Sequence, residues 1–363
     1  MTAPAPIAGA CVWQGRDIAK SRRWIRELAP DAVAEIDAAL RSVRRRGLAW
    51  HAIARGDFPL PRTERLLADI RDELENGSGM VLLRGLPAAR YSADELRCLW
   101  MGLGVNLGTP VYQNCRGELM RAIRDEGAEV GAKYGQVQGA GKDGGAFLSS
   151  YARTLSNGAL RFHTDRCDVV GLLCVRQAAR GGVSTLASSP AVHNAMLARR
   201  PDLAAALYRE VWRSRLGEEA GGEAMAYPLP VFGVRRDRHE RGGSVGADRF
   251  TSHYSLTYIE AAQLRPDVPR LSPEQREAIE LLMRLAAELS FEMRFAPGGM
   301  QFLNNHVVYH GRTPFEDDAG AGHDRLLLRL WLAMPNSRAL PEGHEALWRA
   351  IEAGALRGGI GQG

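Results

Sequence analysis

The sequence predicts a mainly β protein with flanking helices, built as a sandwich or jelly roll. Two observations carry this reading. From residue 161 onward, short apolar or β-branched segments alternate with Gly and Pro turns, at 169–176, 183–188, 231–235, 291–296, 300–304, 306–310 and 325–333. Helical periodicities precede these segments or interrupt them irregularly, unlike the regular alternation of βαβ winding.

The elements can be justified in chain order. A loose Ala- and Pro-rich lead-in is followed by helices expected at 19–28 and 30–46, the second with Ala32, Ile36, Leu40 and Val43 forming an apolar stripe. A third helix is expected over 61–75, with Leu66, Leu67, Ile70 and Leu74 on one side, broken by Gly77 and Gly79. A strand follows at 80–83, and Ser92 is placed to cap a helix from Ala93, with Glu95 in its first turn. Residues 105–160 suggest short strands at 118–123 and 146–151, with a long loop over 127–145. Later helices are expected at 190–198, 201–209, 257–263 and 273–289. In the last, Ser272 caps, Pro273 opens, and Ile279, Leu282, Met283 and Ala286 form the apolar face. A terminal helix is expected at 343–353, after which the Gly-rich end frays. No internal repeat or strong linker divides the chain, so 1–363 reads as one elaborated domain.

Composition narrows the function. Of 363 residues, 45% are hydrophobic and 25% charged, as in a folded protein with a substantial core. The formal charge is +5, with a pI near 9.1, and the basic residues lie in short runs such as Arg44-Arg45-Arg46 and Arg235-Arg236. No aromatic residues interleave them as in a nucleic-acid groove, so nucleic acid is not an expected partner. The five cysteines, Cys11, Cys98, Cys115, Cys167 and Cys174, form no CxxC and read as reduced thiols. The N-terminus lacks a basic segment leading into an apolar run, and no stretch approaches the roughly 18 apolar residues needed to span a membrane. The expected location is cytoplasmic, away from membranes, with a small-molecule partner and a homo-oligomer left open.

The segment Phe162-His163-Thr164-Asp165 places an imidazole and a carboxylate two residues apart, on one face of an extended strand. A third ligand can come from the segment Asn304-Asn305-His306-Val307-Val308-Tyr309-His310, which offers both His306 and His310. Two histidines and one carboxylate form the facial set that holds Fe(II) with open positions. An HxD triplet alone is weak, since it also arises by chance or as a surface pair. His323 and His344 read as solvated, while His193, His239 and His253 are weak ligand candidates.

The wider pattern resembles the TauD/TfdA-like, clavaminate-synthase-like Fe(II)- and 2-oxoglutarate-dependent oxygenases. The likeness runs through Phe162–Asp165, Gly181-Gly182-Val183-Ser184, Gly298-Gly299-Met300, Asn305, His310-Gly311-Arg312-Thr313-Pro314-Phe315 and Asp324-Arg325-Leu326-Leu327-Leu328-Arg329. It covers most of 80–336, leaving 1–78 as a mainly helical extension and 337–363 as a C-terminal helix and tail. The resemblance implies a double-stranded β-helix (jelly roll) core. It also implies His163, Asp165 and His310 as catalytic metal ligands, with His310 preferred because it directly precedes Gly311-Arg312-Thr313-Pro314-Phe315.

Arg325, fifteen residues beyond His310, occupies the family's position for the arginine that binds the distal carboxylate of 2-oxoglutarate, with Ser184 assisting and Arg329 as runner-up. The implied cofactors are Fe(II), 2-oxoglutarate as cosubstrate and O₂. The implied reaction is oxidation, foremost hydroxylation, of a small organic metabolite with release of succinate and CO₂. Asn304 and His306 depart from the family's frequent Asp and Arg there, and Gly299 from a frequent acidic residue. The retained Asp165 favours oxygen insertion over halogenation. Tyr112, Gln113, Asn114, Arg153 and His306 are candidate pocket residues. The competing readings are a hydrolase or isomerase using another metal on a jelly-roll scaffold, and a non-catalytic small-molecule-binding protein.

Overall fold

The structure, a computed structural model, describes residues 4–127, 150–235 and 249–361, with short strands at Gln136–Val137, Phe147–Leu148 and Val245–Gly246. Most of the loop expected at 127–145, and His239, lie outside the described residues. The core strands are β1 (Ile25–Glu27), β2 (Met80–Arg84), β3 (Thr109–Pro110), β4 (Met120–Ile123), β5 (Leu160–His163), β6 (Val169–Arg176), β7 (Ser184–Ser188), β8 (Phe291–Met293), β9 (Met300–Asn304), β10 (Val308–Arg312) and β11 (Leu326–Ala333). A major sheet runs β1-β2-β9-β6-β11-β3, with β4 also paired to β11; a minor sheet runs β8-β7-β10-β5. Strands distant in sequence are neighbours in both sheets, which is the jelly-roll arrangement the short-strand pattern predicts.

Alternation along the major-sheet strands explains why they read as nearly continuous apolar runs. On β11, Leu327 and Trp331 join the cluster facing the minor sheet, whereas Leu328, Leu330 and Leu332 join the cluster on the opposite face. Met80 and Leu82 of β2 likewise face inward, and Val81 and Leu83 outward. Covering that outer face are α1 (Pro30–Arg45), α2 (Glu64–Glu75) and α3 (Ala93–Leu107), through Ile36, Leu67, Ile70 and Trp100 among others. Ser92 caps α3 as expected: its side chain accepts from Glu95 N at 3.3 Å, and Glu95 accepts from Ser92 N at 2.8 Å. On the other side, α4 (Ser189–Arg199) and α5 (Pro273–Glu288) add Met196, Ile279 and Leu282 to the inner cluster.

Four local expectations need correction. Residues 19–28 are not a helix: a short helix at Gly15–Ile18 leads through a turn into β1, which pairs in parallel with Leu82, Leu83 and Arg84. Long-range pairing overrides a weak local periodicity here. The strand expected at 306–310 instead begins at Val308, because 305–307 form a turn. The terminal helix covers only Glu345–Trp348 and is broken at Arg349, whose φ is 66°. The tail does not fray: Arg357 and Ile360 are buried, Gly359 N donates to Arg166 O at 2.6 Å, and Ile360 N donates to Tyr112 O at 2.8 Å.

Asp168 anchors that tail. Its carboxylate accepts from Arg357 Nε at 2.8 Å and from Met334 N at 2.9 Å, and contacts His306 Nε2 at 2.9 Å. All three side chains are essentially inaccessible to water. Asp168→Ala would strand a buried guanidinium and is expected to destabilise the fold by about 3–5 kcal/mol, measured by denaturant titration.

Candidate metal centre and active site

β5 and β10 lie side by side in the minor sheet, with His163 directly opposite His310. The imidazole centroids are 4.2 Å apart. β5 ends at His163, so Asp165 is not held by strand geometry. Its N–H instead donates to Asn305 Oδ1 at 2.9 Å, while Asn305 Nδ2 donates to Cys167 O at 3.0 Å. That clamp turns the carboxylate back between the imidazoles: Oδ1 is 4.0 Å from His163 Nε2 and Oδ2 is 3.7 Å from His310 Nε2. The three side chains offer ligand atoms all within 4.8 Å of one another, a grouping able to hold a metal ion. Asn305→Ala leaves two buried backbone groups unpaired and loosens Asp165. Iron affinity is expected to fall about 10- to 100-fold, read by anaerobic Fe(II) titration.

The protonation states suit coordination. Burial, aided by neighbouring His310, pushes the His163 pKa down to about 4, keeping its imidazole neutral. His163 Nδ1 lies 2.8 Å from Arg161 O, so the donor nitrogen is Nδ1 and the Nε2 lone pair is left for a metal. Burial alone would raise the Asp165 pKa, but Arg329 and then the two histidines hold it well below the usual carboxylate range. Trp331 Nε1 also donates to Asp165 Oδ2 at 3.0 Å.

His306 stands elsewhere. Its ring nitrogens meet Asp168 Oδ1 at 2.9 Å and Thr251 Oγ1 at 2.8 Å, and its turn carries it away from the triad. Cys167 and Cys174 are buried core thiols outside the metal group. Burial raises both thiol pKa values, Cys174 to about 12, so neither is a ready thiolate ligand. His344, which reads as solvated from sequence, is in fact 3% exposed and packs against Gly233.

Arg325 is 4% exposed, yet its Nε and Nη1 have no hydrogen-bond partner among the described residues. An isolated buried guanidinium is costly, so this one fits an anionic ligand. Its cradle explains the Gly181-Gly182 pair. At Gly182, where φ is +66°, a Cβ would lie 2.9 Å from Arg325 Nε, and the Phe315 ring centroid lies 5.2 Å from the guanidinium carbon. Ser184, two residues on, is buried with its hydroxyl 3.4 Å from Gln301 Oε1. Arg329 shares inward parity with Leu327 and Trp331 and is directed at the triad, its Nη1 being 3.9 Å from Asp165 Oδ2.

Gln113 fixes Arg329 by accepting from its Nε at 2.6 Å. Asn114 bonds within its own turn, donating to Glu118 at 2.6 Å. Arg153 lines a crevice beside His163. Opening from Asp165 and Trp331 is a narrow cleft, lined also by Arg166, Arg215, Glu218, Tyr227, Tyr258, Leu347 and Ile360. Larger clefts near Gly298 and Trp13 contain no triad residue. The distal lining was missed from sequence, because its residues come from irregular segments far apart in the chain.

A jelly roll with two histidines and an aspartate gathered at its minor sheet defines a non-haem metal oxygenase of the facial-triad class. The sequence pattern of the taurine catabolism dioxygenase TauD, TfdA family matches residues 42–331, and the chain belongs to that family. It is an Fe(II)- and 2-oxoglutarate-dependent dioxygenase.

The chain is 30% identical over 339 residues to FR-33289 synthase of Streptomyces rubellomurinus, covering 93% of each protein. It is 30% identical over 322 residues to the taurine hydroxylase-like protein SAT17 of Stachybotrys chartarum, covering 88% of this chain and 77% of that one. Among solved structures, asparagine oxygenase with Fe(II), 2S,3S-3-hydroxyasparagine and succinate superposes with a TM-score of 0.58 at 18% identity, over 92% of this chain and 100% of that one. The non-heme iron oxygenase OrfP with Fe and alpha-ketoglutaric acid gives 0.53 at 16%, over 85% and 93%. No helix among the described residues is long and apolar enough to cross a membrane.

Proposed function

We propose that His163, Asp165 and His310 hold Fe(II), that Arg325 with Ser184 receives the distal carboxylate of 2-oxoglutarate, and that the cleft beside Asp165 takes a small organic substrate for hydroxylation. The observation that carries this reading is the convergence of the three ligand atoms within 4.8 Å. Arg325, whose Nε and Nη1 lack hydrogen-bond partners among the described residues, fits the cosubstrate. When bound, the iron and 2-oxoglutarate supply the O₂ chemistry that oxidises substrate with loss of CO₂ and formation of succinate.

The protein's own contribution is placement. Asn305 clamps Asp165, Trp331 and Arg329 keep that carboxylate oriented and ionised, and Gln113 holds Arg329 in position. Buried Phe315 walls the guanidinium of Arg325, limiting access of water. The relatives agree in kind: one is described as hydroxylase-like, and the asparagine oxygenase structure contains a hydroxylated amino acid and succinate.

An aerobic metabolite screen scoring succinate above uncoupled 2-oxoglutarate turnover tests the reading. At least one compound should raise succinate and gain one oxygen atom by mass. Fe(II)-loaded protein that consumes no 2-oxoglutarate under any condition would contradict it.

A further inference from the structure

We propose that Glu218 is the substrate-selecting carboxylate of the cleft, receiving an amine of the molecule to be oxidised. This rests on assigning the neighbouring triad as the metal site. Glu218 lines the same cleft as Asp165 and Trp331. It follows a strand at Val211–Ser214 through an unusual turn, in which Leu216 has φ 53° and Gly217 φ 79°. A left-handed leucine is rare, and such backbone concentrates where a side chain must be aimed. Here the turn is fastened by Leu216 N donating to Ser214 Oγ at 3.2 Å and Glu218 N donating to Arg215 O at 3.0 Å.

The other charged groups of the cleft are already engaged. Arg166 donates Nη1 to Glu223 at 3.1 Å and Nε to Leu347 O at 3.0 Å. Arg215 donates to Ala224 O and Ala346 O at 2.9 and 2.6 Å, and lies over the Tyr227 ring. Asp165 belongs to the triad, and Arg329, behind it and outside the lining, is held by Gln113. Glu218 differs: Tyr258 donates to its Oε2 at 3.1 Å, and no arginine forms an ion pair with it among those found between described residues. Tyr258 thus orients one oxygen while the carboxylate keeps capacity for a donor entering beside the metal.

Burial pushes the Glu218 pKa up to about 7, against the opposing pull of Tyr258, Arg121, Arg329 and Arg166. Arg215 and Tyr227 also face the cleft, as does His253, whose buried ring is kept neutral. A cation binding the ionised carboxylate should therefore bind better as pH rises through about 7.

The test is anaerobic titration calorimetry of the enzyme loaded with Fe(II) and 2-oxoglutarate, using L-norvaline and 5-aminopentanoate against pentanoate. These probes put an amine at either end of one carbon chain. At least one amine should bind about tenfold or more tightly than pentanoate. That preference should grow from pH 6 to pH 8, vanish in Glu218→Gln, and partly return in Glu218→Asp. Equal binding of all three probes, no binding by either amine, or a preference that survives Glu218→Gln would overturn the proposal. The 2-oxoglutarate-dependent visible band, read on the same samples, separates this result from failure of the oxygenase site: a band without amine preference rejects only the role of Glu218.

Discussion

Asp165→Ala and His310→Ala are each expected to weaken Fe(II) binding by more than about 100-fold, beyond the 10- to 100-fold typical of changes outside the ligand set. Each removes one of three converging ligand atoms, and no fourth His, Cys, Asp or Glu joins the group among the described residues. Asp165→Ala also leaves the Trp331 indole N–H without its acceptor and Arg329 without its nearest carboxylate. His306→Ala is the control that separates the two downstream histidines. It should leave iron affinity within a few-fold while lowering fold stability, because it breaks the buried contacts to Asp168 and Thr251. Anaerobic Fe(II) titration with parallel thermal melts reads both effects. Loss of iron in His306→Ala with retention in His310→Ala would reverse the assignment.

Arg325→Ala is expected to weaken 2-oxoglutarate binding by about 2–5 kcal/mol, or roughly 30-fold to a few thousand-fold, with iron binding retained. The size follows from burial: in the complex the cosubstrate carboxylate would sit against an arginine that is 4% exposed and whose Nε and Nη1 find no hydrogen-bond partner among the described residues. The same burial lowers the Arg325 pKa to about 10, still well above neutral pH, so the group stays charged. Because nothing among the described residues hydrogen-bonds to Nε or Nη1, the variant should be no less stable than the parent without 2-oxoglutarate. Titration of the iron-loaded protein with 2-oxoglutarate measures the first effect, and melts without ligand the second. An unchanged affinity would remove Arg325 from the site.

The jelly roll was legible because its strands are apolar on both faces and punctuated by Gly and Pro; the expected segment at 169–176 matches β6 and that at 300–304 matches β9. Pairing through β1 was not, since three residues carry too little pattern to compete with a nearby helical periodicity. In the site, His163 and Asp165 were visible from two-residue spacing, although the structure reaches their convergence differently: Asn305 bends the chain just past the strand end. The choice between His310 and His306 depends on the turn at 305–307, which strand parity alone could not reveal.

Other parts of the site are set only by tertiary structure. Arg325 and Arg329 share strand parity in the sequence, but the ladder shifts register between Leu326 and Leu327, and the two arginines meet different surroundings. Leu347 and Ile360 enter the cleft from the C-terminal segment, which is fastened by the buried Arg357–Asp168 pair rather than by any periodic pattern.

The most direct measurement of the central claim is the anaerobic visible spectrum of the protein with Fe(II), with 2-oxoglutarate, and with both. A weak charge-transfer band should appear only when both are present, and should be lost at matched concentrations in His310→Ala and Arg325→Ala. Fully metallated protein that shows no band at saturating 2-oxoglutarate would contradict the assignment of this site.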